Sequence, residues 1–133
     1  MDTTSHSNTA SDKPKVIFLD DSPLVRWAWE TKLKPHVAIR CFTGPSAFFE
    51  EFGAQGASEN NLNLNAVHTI ITDHFFAPDE TLTGIEFAKE LRSRGFAGRI
   101  LLASNGEFSS SELTGVVDKI VDKQPVEWER LGV

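Results

Sequence analysis

Short apolar runs, each closed by a polar residue, recur along this chain. Val16, Ile17, Phe18 and Leu19 lead into Asp20 and Asp21. Ile70, Ile71 and Thr72 lead into Asp73. Ile100, Leu101, Leu102 and Ala103 lead into Ser104, and Ile120, Val121 and Asp122 lead into Lys123. A short, nearly continuous apolar run predicts a strand buried on both faces, as in parallel sheets. The polar residue that closes it then sits at the carboxyl edge of the sheet, where ligands bind in open α/β folds. Three carboxylates, a hydroxyl and an ammonium on one edge suit a hard cation and a phosphoryl group.

Between these runs the pattern takes the period of helices. Ser22 as cap and Pro23 in the first turn open a helix to about Leu33, with Val25, Trp29 and Leu33 on one face. Pro35 stops it, and residues 37–42 predict the second strand. Gly44, Pro45 and Ser46 open a helix through Phe48, Phe49 and Phe52 to Gly53. Residues 55–65, rich in Asn, predict an insertion loop. Residues 67–72 predict the third strand and 74–82 a loop. Thr83 caps a helix over 84–94, with Ile85, Ala88 and Leu91 on one face. Residues 99–103 predict the fourth strand and 111–115 barely one helical turn. The fifth strand is expected over 116–121, and Pro125 begins a last helix of about two turns. Strands alternating with helices predict an α/β fold, a parallel sheet covered on both faces.

Length and composition narrow the function. The 133 residues fit one domain, expected over 15–133, and 1–14 carry too little apolar surface to order, predicting a disordered tail. A net charge of -6 argues against direct binding to nucleic acid or an anionic membrane, either of which favours a basic face. The single cysteine, Cys41, excludes an internal disulfide and reads as a small buried residue. No apolar run approaches the length of a membrane span, and no basic, apolar secretion signal opens the chain. A cytoplasmic protein is expected. His6, His36, His68 and His74 show no metal-ligand spacing. Trp29 is expected in the core, Trp27 at the core edge and Trp128 against the sheet.

Taken in order, Phe18-Leu19-Asp20-Asp21-Ser22, Ile70-Ile71-Thr72-Asp73, Gly84-Ile85-Glu86-Phe87, Leu101-Leu102-Ala103-Ser104 and Lys123-Gln124-Pro125 form a specific set. With them the chain resembles the receiver domain of two-component response regulators, over nearly everything from Lys15 to Pro125. The resemblance implies a flavodoxin-like, doubly wound, five-stranded parallel sheet of order 2-1-3-4-5. It implies Asp73 as phosphoacceptor. Mg²⁺ would be held by Asp20, Asp21 and Asp73 with the backbone carbonyl of Phe75, while Ser104 and Lys123 would contact phosphoryl oxygens. The implied donor is a histidine kinase or phosphotransfer protein, and the output a contact with a downstream protein. A homodimer is left open. The chain would not be an enzyme beyond catalysing its own phosphoryl transfer and dephosphorylation. Elementary chemistry agrees with these roles. A carboxylate attacks an anionic phosphoryl donor poorly unless a divalent cation offsets the repulsion, and Lys123 supplies a point charge for the transferred group.

The chain departs from the family's pattern in several places. That pattern has proline four residues and glycine eight residues after the phosphoacceptor, whereas here Pro78 stands at plus five and Gly84 at plus eleven. Phe75 and Phe76 in this loop either cover the site or pack beneath it. Ile120 takes the place of the strand-five aromatic, Asn105 follows Ser104, and the fourth helix is short. These departures give the alternative, a pseudo-receiver that binds partners without phosphorylation. Other folds with phosphoryl chemistry fit less well. A haloacid-dehalogenase-type phosphohydrolase needs Asp-x-Asp after strand one, where this chain has Asp20-Asp21-Ser22. A flavodoxin needs a Ser/Thr/Gly-rich loop there, and a nucleotide hydrolase needs GxxxxGK, which does not occur.

Overall fold

The computed structural model describes residues 13–52 and 64–132. Five strands, β1 Lys15–Leu19, β2 Ala38–Phe42, β3 Thr69–Thr72, β4 Arg99–Ala103 and β5 Lys119–Val121, form one sheet in the order β2-β1-β3-β4-β5. Every pairing is parallel. The helices are α1 Pro23–Leu33, α2 Pro45–Phe52, α3 Gly84–Ser93 and the short α4 Ser110–Leu113. Turns of 3-10 helix occur at Leu64–Ala66 and Trp128–Leu131. This is the flavodoxin-like, doubly wound arrangement.

Alternation along the strands splits the core into two layers. Ile17, Leu19, Ile70, Ile100 and Leu102 point to one face and pack with Phe48 of α2 and Ile85, Phe87, Ala88 and Leu91 of α3. Val16, Phe18, Ile71, Leu101 and Ala103 point to the other and pack with Trp29 and Leu33 of α1 and with Leu131. Each fully buried side chain of this size contributes about 1.5–3 kcal/mol of hydrophobic stabilisation before chain entropy is counted. Because both faces are covered, polar side chains leave the sheet at its two ends, and the acids leave it at the carboxyl edge.

The caps follow the sequence. Ser22 accepts a hydrogen bond from Val25 N at 3.3 Å. Thr83 and Glu86 form a reciprocal box at the start of α3, with Thr83 N donating to Glu86 (2.9 Å) and Glu86 N to Thr83 (3.2 Å).

Several expectations are corrected at the element ends. The last helix from Pro125 is only the 3-10 turn Trp128–Leu131. The fifth strand begins at Lys119, because Val116 N and Val117 N donate back to Leu113 O and extend the turn that leaves α4. Val67 and His68 precede β3 rather than belong to it, although His68 N still donates to Lys15 O at 2.8 Å. Most of the expected tail, and of the insertion over 55–65, lies outside the described residues. The Pro14 carbonyl accepts from Ala38 N at 2.9 Å, and Leu64 is a core residue, 4% exposed. Trp29 is buried and Trp128 packs on the sheet layer, but Trp27 is 62% exposed and does not tuck against the core edge. Cys41 is half-buried and packs against the core layer, and burial pushes its thiol up to about 11. No helix among the described residues is long and apolar enough to cross a membrane.

Candidate functional site

The ladder itself fixes the acids. Asp20 N donates to Phe42 O at 3.1 Å, and Asp73 N donates to Leu19 O at 2.9 Å. Each acid is therefore the first residue past its strand while its backbone is still held by the neighbouring strand. Asp20 is 2% exposed and Asp73 5% exposed, whereas Asp21 faces solvent.

The two buried carboxylates use their oxygens alike. Asp20 Oδ1 accepts from Ser22 N at 2.9 Å, and Asp73 Oδ1 accepts from His74 N at 2.7 Å. Their Oδ2 atoms turn towards Lys123. Its Nζ donates to Asp73 Oδ2 at 3.2 Å and lies 3.9 Å from Asp20 Oδ2. That longer distance is an ion pair and not a hydrogen bond, so Asp20 Oδ2 is a buried oxygen without a hydrogen-bond partner. Burial, reinforced by the nearby charge of Asp73 and partly offset by the Ser22 amide and Lys123, raises the Asp20 carboxyl to about 6.

One carboxylate oxygen each from Asp20, Asp21 and Asp73 lies within 4.8 Å of the others. An orphaned buried carboxylate oxygen inside an all-oxygen donor set fits a small hard cation. Mg²⁺ accepts two or three carboxylates and completes its shell with water. Phe75, whose carbonyl is the fourth expected ligand, follows His74 in the loop that leaves β3.

The structure brings Asp20, Asp21, Asp73 and Lys123 together, and Ser104 makes its hydrogen bonds elsewhere. Ser104 N still donates to Val121 O at 3.0 Å, which fixes its backbone at the sheet edge. Its Oγ accepts from Gly106 N at 3.1 Å within its own loop. Because Oγ is the acceptor there, the hydroxyl proton is not used by that bond.

The lengthened loop after Asp73 returns to the site by close packing. Gly84 N donates to His74 O at 2.7 Å, and a Cβ on Gly84 would stand 2.1 Å from the Asp73 carbonyl oxygen. Gly84 therefore meets the acid's backbone despite its eleven-residue separation. The extra length is taken up by a turn closed by Glu80 N and Ala77 O, and Glu80 is tied to the start of α2 by Ser46 N (3.2 Å) and Ser46 Oγ (2.9 Å). The two phenylalanines of the loop part company. Phe76 packs on the core, while Phe75 is 70% exposed and lies edge-on to His74 at 4.4 Å. His74 is buried between Phe75 and Phe108, 4.9 Å from the latter, and burial holds its imidazole below its ordinary pKa against the pull of Asp73.

Some supports of the site had no signal in the sequence. Arg26 donates to the Asp20 carbonyl at 2.8 Å, and the buried indole of Trp29 donates to the Lys123 carbonyl at 3.0 Å. Helical spacing marked Trp29 as core but could not show what its N–H meets. At the opposite edge of the sheet a cleft of about 840 Å³ opens beside Lys15, His68 and Arg99, and it contains none of these acids.

Neither a protein-family model nor a curated protein sequence matches this chain. Among solved structures it is similar to the beryllofluoride-activated receiver domain of DrrB, a Thermotoga maritima regulator, at 19% identity and TM-score 0.64, over 90% of this chain and 91% of that one. It is similar to a response regulator receiver protein from Pseudomonas putida, at 19% identity and TM-score 0.64, over 90% and 92%. It is also similar to the isolated receiver domain of RcsB from Salmonella enterica serovar Typhimurium, at 20% identity and TM-score 0.62, over 86% and 80%. At such identities the likeness establishes the fold. The chain has the receiver fold of response regulators.

Proposed function

We propose that this chain is a phosphoacceptor signalling module of a two-component system, taking a phosphoryl group on Asp73 with Mg²⁺. One observation carries the proposal: Asp73 is buried at the carboxyl edge with two further carboxylates beside it and an ammonium 3.2 Å from its Oδ2. Asp20, Asp21, Asp73 and the Phe75 carbonyl would hold the cation. When bound, Mg²⁺ would offset the repulsion between these carboxylates and an incoming phosphoryl group and favour in-line attack. Asp73 Oδ2 is the nucleophile. It forms the new P–O bond as the P–N bond of a donor phosphohistidine breaks, leaving an acyl phosphate on Asp73. Lys123 then pairs with a phosphoryl oxygen, and Ser104 donates its unused proton to another.

The donor is a histidine kinase or phosphotransfer protein, and the output is a contact with a downstream protein, with a homodimer left open. The net charge of -6 speaks against a direct nucleic-acid or anionic-membrane target. The chemistry is confined to the protein's own phosphoryl transfer and dephosphorylation. Intact-protein mass spectrometry after incubation with acetyl phosphate and Mg²⁺ tests this. One added phosphoryl group is expected, dependent on Mg²⁺ and absent in Asp73→Asn. An adduct that persists in Asp73→Asn would place the chemistry elsewhere.

A second reading is a pseudo-receiver that signals by contact without phosphorylation. It is favoured by the three-residue β5 with Ile120 in the aromatic's place and by the four-residue α4. Beryllofluoride, present with two of the structures similar to this chain, separates the two readings. Tight binding that requires Mg²⁺ supports the phosphoacceptor, and no binding supports the pseudo-receiver.

A further inference from the structure

Lys123 carries the ammonium that faces both buried carboxylates, yet the sheet does not hold it. The last residue of β5 is Val121, paired with Ala103. Two residues later the chain has left the ladder, and β5 is itself an edge strand. A lysine side chain has four rotatable bonds and little shape of its own. Its ammonium can stay 3.2 Å from Asp73 Oδ2 only if its main chain is anchored by something else.

Two bonds supply that anchor. Gln124 N donates to Asp122 Oδ1 at 3.0 Å, a local turn on the exposed side. The other comes from the core, where Trp29 Nε1 donates to the Lys123 carbonyl at 3.0 Å across 94 residues of sequence. Trp29 is fully buried, and its ring stacks on Phe18 with centroids 5.0 Å apart and planes 23° from parallel. The indole is thus fixed by packing before it makes its bond. Phe18 lies in β1, two residues before Asp20. The same stack therefore references the position of Lys123 to the strand that carries the first acid.

We infer that Trp29 is a positioning residue. Its indole N–H sets the Lys123 backbone so that the ammonium meets the group on Asp73. The consequence for phosphoryl binding rests on the proposed function, but the positioning itself does not.

Trp29→Phe keeps a ring against Phe18 and removes the donor. The first readout is the backbone order parameter of the Lys123 amide. It is expected near 0.85 in the unaltered protein, and below about 0.6 in Trp29→Phe. A mobile Lys123 in the unaltered protein, or an unchanged value in the variant, overturns the inference. The second readout is ligand affinity. Beryllofluoride binding in saturating Mg²⁺ should weaken about tenfold in Trp29→Phe, the usual scale for losing a partner that orients a ligand. Mg²⁺ binding alone should change less than about twofold, because the carboxylates are untouched. In a Lys123→Ala background the tryptophan change should add nothing. Equal loss of Mg²⁺ and beryllofluoride affinity, or full additivity with Lys123→Ala, would show a merely structural role. Ile100→Val, a core truncation away from this contact, serves as control and should move neither ratio. If the unaltered protein binds no beryllofluoride, the phosphoacceptor reading fails, and the order parameter alone then decides whether Trp29 fixes Lys123.

Discussion

The two halves of the carboxyl edge are built differently. On the β1 and β3 side, the strands lie in the middle of the sheet. β1 pairs over five residues with β2 and over four with β3, and β3 is buried along its whole length. On the β4 and β5 side, β4 pairs with β5 over only three residues, and β5 is at best half-buried. The helix that follows β3 has five buried residues, whereas α4 spans four residues and buries none. The acids thus sit on the rigid half and Ser104 on the lighter one, where Lys123 is tied back to the core by the Trp29 indole. Metal and phosphoryl chemistry need fixed carboxylates, while a response to phosphorylation needs parts that move at low cost.

Changes on the rigid half should have the largest effects. Gly84→Ala would put a methyl carbon 2.1 Å from the Asp73 carbonyl and 2.8 Å from His74 Cα. Both contacts are backbone and cannot swing away, so the loop or α3 must shift. A loss of about 3 kcal/mol is expected in urea unfolding, at the upper end for overpacked sites. Weakened Mg²⁺ binding should accompany it. A Gly84→Ala protein as stable as its parent would show that the loop after Asp73 is loosely seated and would remove the contrast between the halves.

The buried carboxyl of Asp20 gives the next effect, and its sign is unusual for an acid. Its folded pKa is about 6 against an ordinary value of 3.8. Between these values the folded state keeps a proton that the unfolded chain has released. Stability without metal should therefore fall as pH rises through this window, by on the order of 3 kcal/mol at most. Below the ordinary value the penalty is absent. Mg²⁺ should offset it above pH 6. His74 acts in the opposite sense, because its depressed pKa adds stability that is present above 6.5 and lost as pH falls. The difference between the parent and Asp20→Asn, measured by urea unfolding from pH 4 to 8, isolates the carboxyl. An identical slope in both proteins would rule the assignment out.

The same contrast explains what could be read from the sequence. Strands buried on both faces print as apolar runs, so Val16 to Leu19 and Ile100 to Ala103 marked their strands and placed Asp20 and Ser104 at the edge. Caps at Ser22 and Thr83 were legible because short polar side chains satisfy helix amides locally. The light half was harder to read. Val116 and Val117 look like strand but belong to the turn out of α4, and Pro125 signals a helix that amounts to one 3-10 turn. Contacts across the fold left no local trace. The return of Gly84 to Asp73, the tie of Glu80 to Ser46 and the indole bond to Lys123 each depend on where distant segments meet.

Matching truncations of the two caps should separate the halves on a finer scale. Thr83→Ala removes the acceptor that Glu86 N uses at 3.2 Å and leaves the reciprocal bond unsupported, at the head of a helix with five buried residues. A loss of about 1 kcal/mol is expected, the ordinary cost of an N-cap.

Ser109→Ala should cost least. Ser109 also pairs with the residue three further on, its Oγ donating to Glu112 at 2.9 Å and its N–H donating to the same carboxylate at 3.3 Å. The helix it heads, however, buries nothing. Removing the hydroxyl leaves no buried group unsatisfied, so urea unfolding should register within about 0.5 kcal/mol of the parent. Amide exchange in α4 should already be near the fast limit in the parent and stay there. If Ser109→Ala instead costs as much as Thr83→Ala, α4 is anchored as firmly as α3, and the β4–β5 half would no longer be the part of the molecule poised to move.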